Sequence, residues 1–255
     1  MMAYGVFAEF YDELTQNVNY KAKADYFCEI LNRFNHEAGC TLDLACGTGT
    51  LTAELKKRGI DIYGADGSFE MLAEANRKAR EEELDILFIC QRMQRLELFG
   101  TINTCVCTLD SINHLQGEKQ VQAAFKRVSM FMEKDGLFIF DVNTVYKHKA
   151  VLGDNTFVYD TKSVYCVWQN TYNNYDNSVK IELDFFIPDG KVYYRSSESF
   201  KEYAYPLDVI VRMLDNCDFD AVGIYCDMTF EAPKEDTQRV TFVAKKRCTP
   251  DLEDR

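Results

Sequence analysis

Thr41-Leu42-Asp43-Leu44-Ala45-Cys46-Gly47-Thr48-Gly49-Thr50 is the stretch on which this chain turns. An apolar run ends in a glycine-bearing turn, and a helix-forming segment, Leu51 to Arg58, follows. Strand, tight turn and helix in that order begin a βαβ unit. Glycine takes positive φ and has no Cβ, so a ligand can lie against bare backbone there. A second apolar strand, Ile60–Ala65, ends in Asp66. A carboxylate at the tip of the second strand is placed to bind the two hydroxyls of a ribose. The pair of turns predicts a site for a nucleoside-containing cofactor.

Outward from this unit, strand and helix alternate. After the strands Thr41–Leu44 and Ile60–Ala65, a helix is expected from Ser68 to Glu83, with Ser68 as its N-cap. Strands follow at Asp85–Cys90, Thr101–Thr108 and Leu137–Phe140, the last entered through an Asp135-Gly136 turn after a helix over Gly117–Met132. Such alternation gives an α/β fold with a parallel, doubly wound sheet. The pattern breaks near Val142. Residues 156–203 read as β without helices: Tyr159–Thr171, Ser178–Ile187 and Lys191–Glu202, separated by Asn and Asp-Gly turn signals. Helix returns at Pro206–Asn216, and strands at Phe219–Asp227 and Arg239–Lys246 close the chain before a frayed tail, Cys248–Arg255.

The glycine turn excludes two phosphate-binding readings. A dinucleotide fingerprint needs a third glycine or alanine, where Thr52 stands, and a P-loop needs a lysine after its last glycine. The net charge of −12 repels phosphate backbones and anionic membranes. No stretch approaches the roughly 20 apolar residues of a membrane span. The ten cysteines include no C-x-x-C pair, and no signal peptide precedes them. Reduced thiols in a cytoplasmic protein, with no metal centre, are the expectation.

Beyond the opening stretch, Gly64-Ala65-Asp66-Gly67-Ser68 with Met71-Leu72, Leu109-Asp110-Ser111-Ile112-Asn113-His114-Leu115 and Asp135-Gly136-Leu137-Phe138-Ile139-Phe140-Asp141-Val142-Asn143 complete a set. Together with Leu42–Gly49 they resemble the class I S-adenosylmethionine-dependent methyltransferases of small-molecule type. The resemblance implies a seven-stranded, mostly parallel Rossmann-like sheet with an antiparallel β insertion after strand five. The core domain would take residues 1–145 and 206–247, with a helical lid over 1–38 and an insertion, 146–205, forming a substrate wall. The cofactor would be S-adenosyl-L-methionine, the product S-adenosyl-L-homocysteine, and the acceptor a nitrogen or oxygen of a small molecule. An RNA or protein acceptor, and a cofactor-binding protein without catalysis, are the alternatives.

The resemblance also implies roles. Asp43 and the backbone of Ala45, Cys46, Gly47 and Gly49 would hold the methionine part. Asp66 would bind the ribose, with Gly67 and Met71 beside the adenine. After strand three such enzymes often carry an acid before Met93; here Gln91-Arg92 stands there, and arginine only donates. Leu109, Asp110 and Asn113 sit at the carboxyl end of strand four, where open sheets bind ligands. Asp141 and Asn143, ending strand five, are expected to face the same pocket. His114 is one of three histidines and a candidate general base. Tyr4, Phe7 and Tyr11 share a helical face, and Tyr11 and Tyr20 are expected to close the lid over the cofactor by analogy with similar enzymes.

Overall fold

The computed structural model describes residues 5–247. Two helices, α1 (Gly5–Leu14) and α2 (Tyr20–Arg33), precede the first strand. Then β1 (Thr41–Leu44), α3 (Thr50–Lys57), β2 (Ile62–Asp66), α4 (Phe69–Glu81), β3 (Phe88–Cys90), β4 (Ile102–Cys107), α5 (Gly117–Phe131) and β5 (Met132–Asn143) follow. Strands β6 (Thr156–Asp160), β7 (Tyr165–Asn173), β8 (Ser178–Asp189) and β9 (Val192–Tyr203) form a sheet of their own. The chain closes with α6 (Leu207–Asp215), β10 (Phe219–Cys226) and β11 (Arg239–Lys246).

The large sheet has the order β10-β11-β5-β4-β1-β2-β3. Six strands run one way and β11 alone runs against them. The strand order reverses between β1 and β4, which pair in parallel, so a crevice opens at their carboxyl ends. Strand β1 is buried along its whole length, as a strand covered by helices on both faces must be. Phe125, Phe138, Phe140 and Phe242 pack one face, with Phe140 and Phe242 stacked across β5 and β11. Tyr26, Phe27 and Ile30 of α2 cover the other.

Several boundaries differ from expectation. The expected strand Tyr159–Thr171 is two strands, β6 and β7, because Thr161 bends the chain: its hydroxyl donates to the carbonyl of Val164 and accepts the Val164 N–H. The Asp135-Gly136 turn is a bulge inside β5: Met132 already pairs with Ile102, the register then shifts, and Asp135 sits at φ 63°. Strand β3 is shorter than Asp85–Cys90. Residues 147–152, given no element by the sequence pattern, form a π-helical turn. Ser68 caps α4 as expected, accepting the Met71 N–H at 3.2 Å.

The four-stranded sheet packs its inner face on α1. Phe10 stacks on Phe185, and Phe7 lies near Phe185, Trp168 and Phe200. Thus Trp168, Phe185 and their neighbours are packed, whereas Tyr193 and Tyr194 at the far end of β9 are exposed. Glu198 of β9 accepts the N–H groups of Val6 and Phe7, which start α1 and lack partners within the helix. Tyr4, and the tail from Cys248, lie outside the described residues. Replacement Phe185→Ala removes the ring on which α1 rests; a loss of about 3–5 kcal/mol is expected in urea unfolding, with earlier proteolysis near α1.

Candidate functional site

At the carboxyl ends of the strands lies a cavity of about 610 Å³. Four successive turns build it: Ala45 and Gly47 after β1, Asp66–Met71 after β2, Gln91–Gln94 after β3, and Leu109, Ser111, His114 and Leu115 after β4. Tyr11 of α1 closes one side. A recess of about 30 Å³ adjoins it, sharing Tyr11, Ala45, Gly47 and Leu109, and reaches inward to Tyr20, Asp43 and Cys46.

The first turn is left-handed at Ala45 (φ 59°), Gly47 (φ 54°) and Gly49 (φ 71°). At Gly47 an added Cβ would meet nothing within 4 Å, so it is the backbone angle that selects glycine, and no side chain covers the turn on the cavity side. At Gly49 a Cβ would press on Ala75 and Phe88 at 3.0 Å. Gly49 therefore seats α3 rather than lining the cavity.

Asp66 joins the first turn to the second. One carboxylate oxygen accepts the Gly47 N–H at 2.9 Å and the other the Ser68 N–H at 2.8 Å. Burial pushes its carboxyl up, and the two amides offset part of that. Each oxygen keeps a lone pair for a hydroxyl. Asp43 is 2% exposed and accepts the Thr52 hydroxyl at 2.6 Å. Burial raises its carboxyl to about 7, with the nearby Asp66 adding to the shift. Burial likewise pushes the Cys46 thiol far up, which makes it inert as a nucleophile.

Helix α1 is tied to the same turn. Asp12 accepts from the hydroxyls of Thr48 (2.7 Å) and Thr50 (3.2 Å), and pairs with Lys78 of α4. The Gln91 amide is engaged in both directions with the backbone of Glu97, at 3.0 and 2.7 Å. Arg92 stacks its stem close to Gly67. Glu70, which the sequence pattern did not single out, brings a carboxylate to this end of the cavity.

Asp110, Asn113, Asp141 and Asn143 do not line the cavity; the structure corrects the expectation that they face it. Asn113 is fully buried and its amide is used up: Oδ1 accepts the Asn143 N–H at 2.9 Å, while Nδ2 donates to the carbonyls of Asn143 (3.1 Å) and Tyr203 (3.0 Å). Asp141, 1% exposed, lies behind the loop after β4. It accepts the N–H groups of Leu109 (3.0 Å) and Asp110 (2.8 Å), Lys23 of α2 (3.0 Å) and Arg239 of β11 (2.6 Å). Arg239 also holds Asp110 at 2.6 Å. Burial alone would raise both carboxyls, yet Arg239, with Lys23 at Asp141, holds them below the usual range. Lys23 and Arg239 carry no motif; each sits in an ordinary amphipathic pattern, and their meeting is a product of tertiary contact.

His114 lines the cavity with its Nε2 4.0 Å from Glu202 of β9 and its ring 5.4 Å from Phe200. No residue of 156–203 lines the cavity itself among the described residues. The small sheet reaches it only through the groups behind His114.

The residues of the cavity fit a nucleoside bearing a cationic amino-acid arm. Asp66 offers preset acceptors, Gly47 bare backbone, and Asp43 a buried carboxyl beside the recess. Comparison with known proteins agrees. Residues 41–136 match the family model described as methyltransferase domain. The chain is 35% identical to a putative methyltransferase of Geobacillus sp. (strain WCH70), over 96% of this chain and all of that one. It is 25% identical to a glycine/sarcosine N-methyltransferase of Aphanothece halophytica, over 94% and 88%. Among solved structures, an S-adenosylmethionine-dependent methyltransferase from Clostridium acetobutylicum ATCC 824 superposes with a TM-score of 0.87 at 33% identity, covering 96% of this chain and 99% of that one.

Asp141→Ala leaves Lys23 and Arg239 buried without their shared anion, so a loss of about 3–5 kcal/mol is expected. The folded carboxyls of Asp110 and Asp141 titrate below the unfolded value of about 3.9. Their stabilisation is complete above that pH and is lost as the pH falls through their folded values. Urea unfolding at pH 7 and pH 3 should show the wild type's advantage over Asp141→Ala shrinking in acid while the larger part of it survives at pH 3.

Proposed function

The chain belongs to the S-adenosylmethionine-dependent methyltransferases, and we propose that it methylates a nitrogen or oxygen of a small-molecule acceptor. The observation that carries this reading is that one cavity joins the glycine turn, Asp66 and His114. Nitrogen is favoured, because the relative from Aphanothece halophytica, similar over nearly its whole length, is an N-methyltransferase. The net charge of −12 sets the acceptor apart from nucleic acid. No helix among the described residues is long and apolar enough to cross a membrane. The nine described cysteines are free, which supports a reducing, cytoplasmic setting.

Asp66 would hold the ribose hydroxyls, and Gly67, Met71, Arg92 and Met93 the adenine. Asp43, Ala45, Gly47 and the recess near Tyr20 would hold the amino-acid arm. Tyr11, carried by the latched α1, would shield this end from water. Bound there, the cofactor would supply a methyl group on a cationic sulfur: its carbon–sulfur bond would break, the electron pair staying on sulfur, as the acceptor's lone pair took the carbon. His114 accepts the proton the acceptor sheds. Positioning the acceptor in line is the larger contribution. The four-stranded sheet, standing behind His114 through Phe200, serves as the far wall of the acceptor end.

Three outcomes are expected. Calorimetry with S-adenosylhomocysteine should show binding by the wild type and its loss in Asp66→Ala; full affinity in that variant would count against the assignment. Deleting residues 1–20 should weaken cofactor binding more than it lowers Tm. Finally, Asp43 has a folded value of about 7 against an ordinary 3.8, so its contribution to stability is present below the lower value and lost as pH rises toward the upper. The free protein should lose stability between these values relative to Asp43→Asn. A cationic arm beside Asp43 favours the ionised form, so cofactor binding near pH 6 should release protons, seen as binding enthalpies that vary with buffer, and Asp43→Asn should abolish the release. Acceptor candidates such as glycine and sarcosine are screened by release of S-adenosylhomocysteine.

A further inference from the structure

Behind His114 stands a carboxylate that the chemistry above does not use. Glu202, near the end of β9, is 4% exposed. It is held there because Asn113 ties the neighbouring Tyr203 carbonyl to Asn143 at the end of β5. One oxygen of Glu202 lies 4.0 Å from Nε2 of His114. The other lies 3.6 Å from Nε2 of His148 and accepts from Nδ2 of Asn143 at 3.3 Å. The Asn143 amide is oriented in turn by Lys147, whose ammonium meets Oδ1 at 2.8 Å. The other two carboxylates on this face, Asp110 and Asp141, are paired with Arg239 and Lys23.

His148 is 0% exposed, and its Nδ1 sits 2.9 Å from the carbonyl oxygen of Asn177. A carbonyl only accepts, so Nδ1 carries a proton. Its Nε2 has no hydrogen-bond partner within bonding distance and faces Glu202. Were Nε2 bare, two lone-pair atoms would confront each other in a dry interior, where an unsatisfied polar atom is costly. A proton on Nε2 turns the contact into an ion pair. Asn143 already donates to the same oxygen of Glu202 that faces His148.

Resting on the reading of His114 as proton acceptor, we propose that Glu202 is its positioning residue. An ionised Glu202, anchored from behind by a doubly protonated His148, turns the Nε2–H of His114 toward itself and leaves the lone pair of His114 on Nδ1. The proton shed by the acceptor goes to Nδ1, and the resulting imidazolium faces a fixed anion. The small sheet thereby contributes a residue to the chemistry, delivered from β9, and not a wall alone. Asp110, His114 and Glu202 also bring one ligand atom each within 4.8 Å of one another, as a metal site would. Arg239 already supplies a cation on Asp110 at 2.6 Å, which makes a dication a poor fit.

The test uses the full-length protein with ¹⁵N-labelled histidine; the chain has three. Long-range ¹H–¹⁵N spectra at neutral pH, assigned with His114→Asn, are expected to show both nitrogens of His148 protonated and His114 as the single tautomer protonated on Nε2. In Glu202→Gln the amide can donate to Nε2 of His148 at unchanged size, so His148 should lose its second ring proton and His114 its single tautomer. A bare Nε2 on His148 in the wild type, or an unaltered His114 in Glu202→Gln, overturns the proposal. So does stoichiometric Mn²⁺ binding that broadens the His114 signals. Should Glu202→Gln fail to fold, the wild-type spectrum alone decides. Calorimetry with S-adenosylhomocysteine separates the two readings: absent binding by the wild type sinks the methyltransferase assignment, whereas intact binding with the wrong tautomers sinks only the role of Glu202.

Discussion

The carboxylate of Asp141 is the constraint on which the site depends. It lies near the carboxyl end of β5 and meets four donors from three other parts of the chain: α2, the loop after β4 and β11. Two of those donors are consecutive backbone amides, at Leu109 and Asp110, both in the left-handed region. Two such residues in a row are strained for anything but glycine. The buried anion, itself balanced by Lys23 and Arg239, is what holds them. That loop carries Leu109, Ser111 and His114 into the cavity. An unpaired charge at this depth would be strongly destabilising, so the ion cluster forms as a unit or not at all.

A second carboxylate does the same service at the other end. Asp66 accepts one amide from each of two turns and so fixes their separation before any ligand arrives. The two anchors differ in charge balance. Asp141 is compensated by cations. Asp66 and Asp43 are not, and burial raises both. This end of the cavity therefore carries two buried carboxyls, Asp66 and Asp43, which suits a positively charged guest. Helix α1 completes it by bridging two units. Its apolar face rests on the small sheet through Phe7 and Phe10, and Asp12 reaches the first turn.

Much of this was legible in local sequence. The strands β1, β2, β4 and β11 declare themselves by apolar runs, the first turn by its two glycines, and α4 by the Ser68 cap. Asp43, Gly47, Asp66 and His114 come together around the cavity and its recess because each lies at or shortly after a strand's carboxyl end, and those ends converge in a parallel sheet. The errors share a cause. Asp110, Asn113, Asp141 and Asn143 stand at strand ends too, yet they point into other chain segments: Arg239, Tyr203 and Lys23 lie 90 or more positions from the groups they meet among the first three, and Glu202 lies 59 from Asn143. Position along a strand says which end of the sheet a residue occupies; it does not say whether its side chain meets a cavity or another chain segment.

The sequence by itself determined the order of elements, the direction of the sheet and the cofactor turn, because hydrophobic period, glycine geometry and capping act over a few residues. Only the tertiary structure decided the roles of the polar side chains. Whether a carboxylate is a ligand, a counter-ion or a positioning group depends on which donors burial forces against it, and in a dry interior those partners come from distant strands. Glu202 shows the difference most clearly: in sequence it is one acid in a polar β strand, and in the fold it lies between two histidines that no local pattern connects.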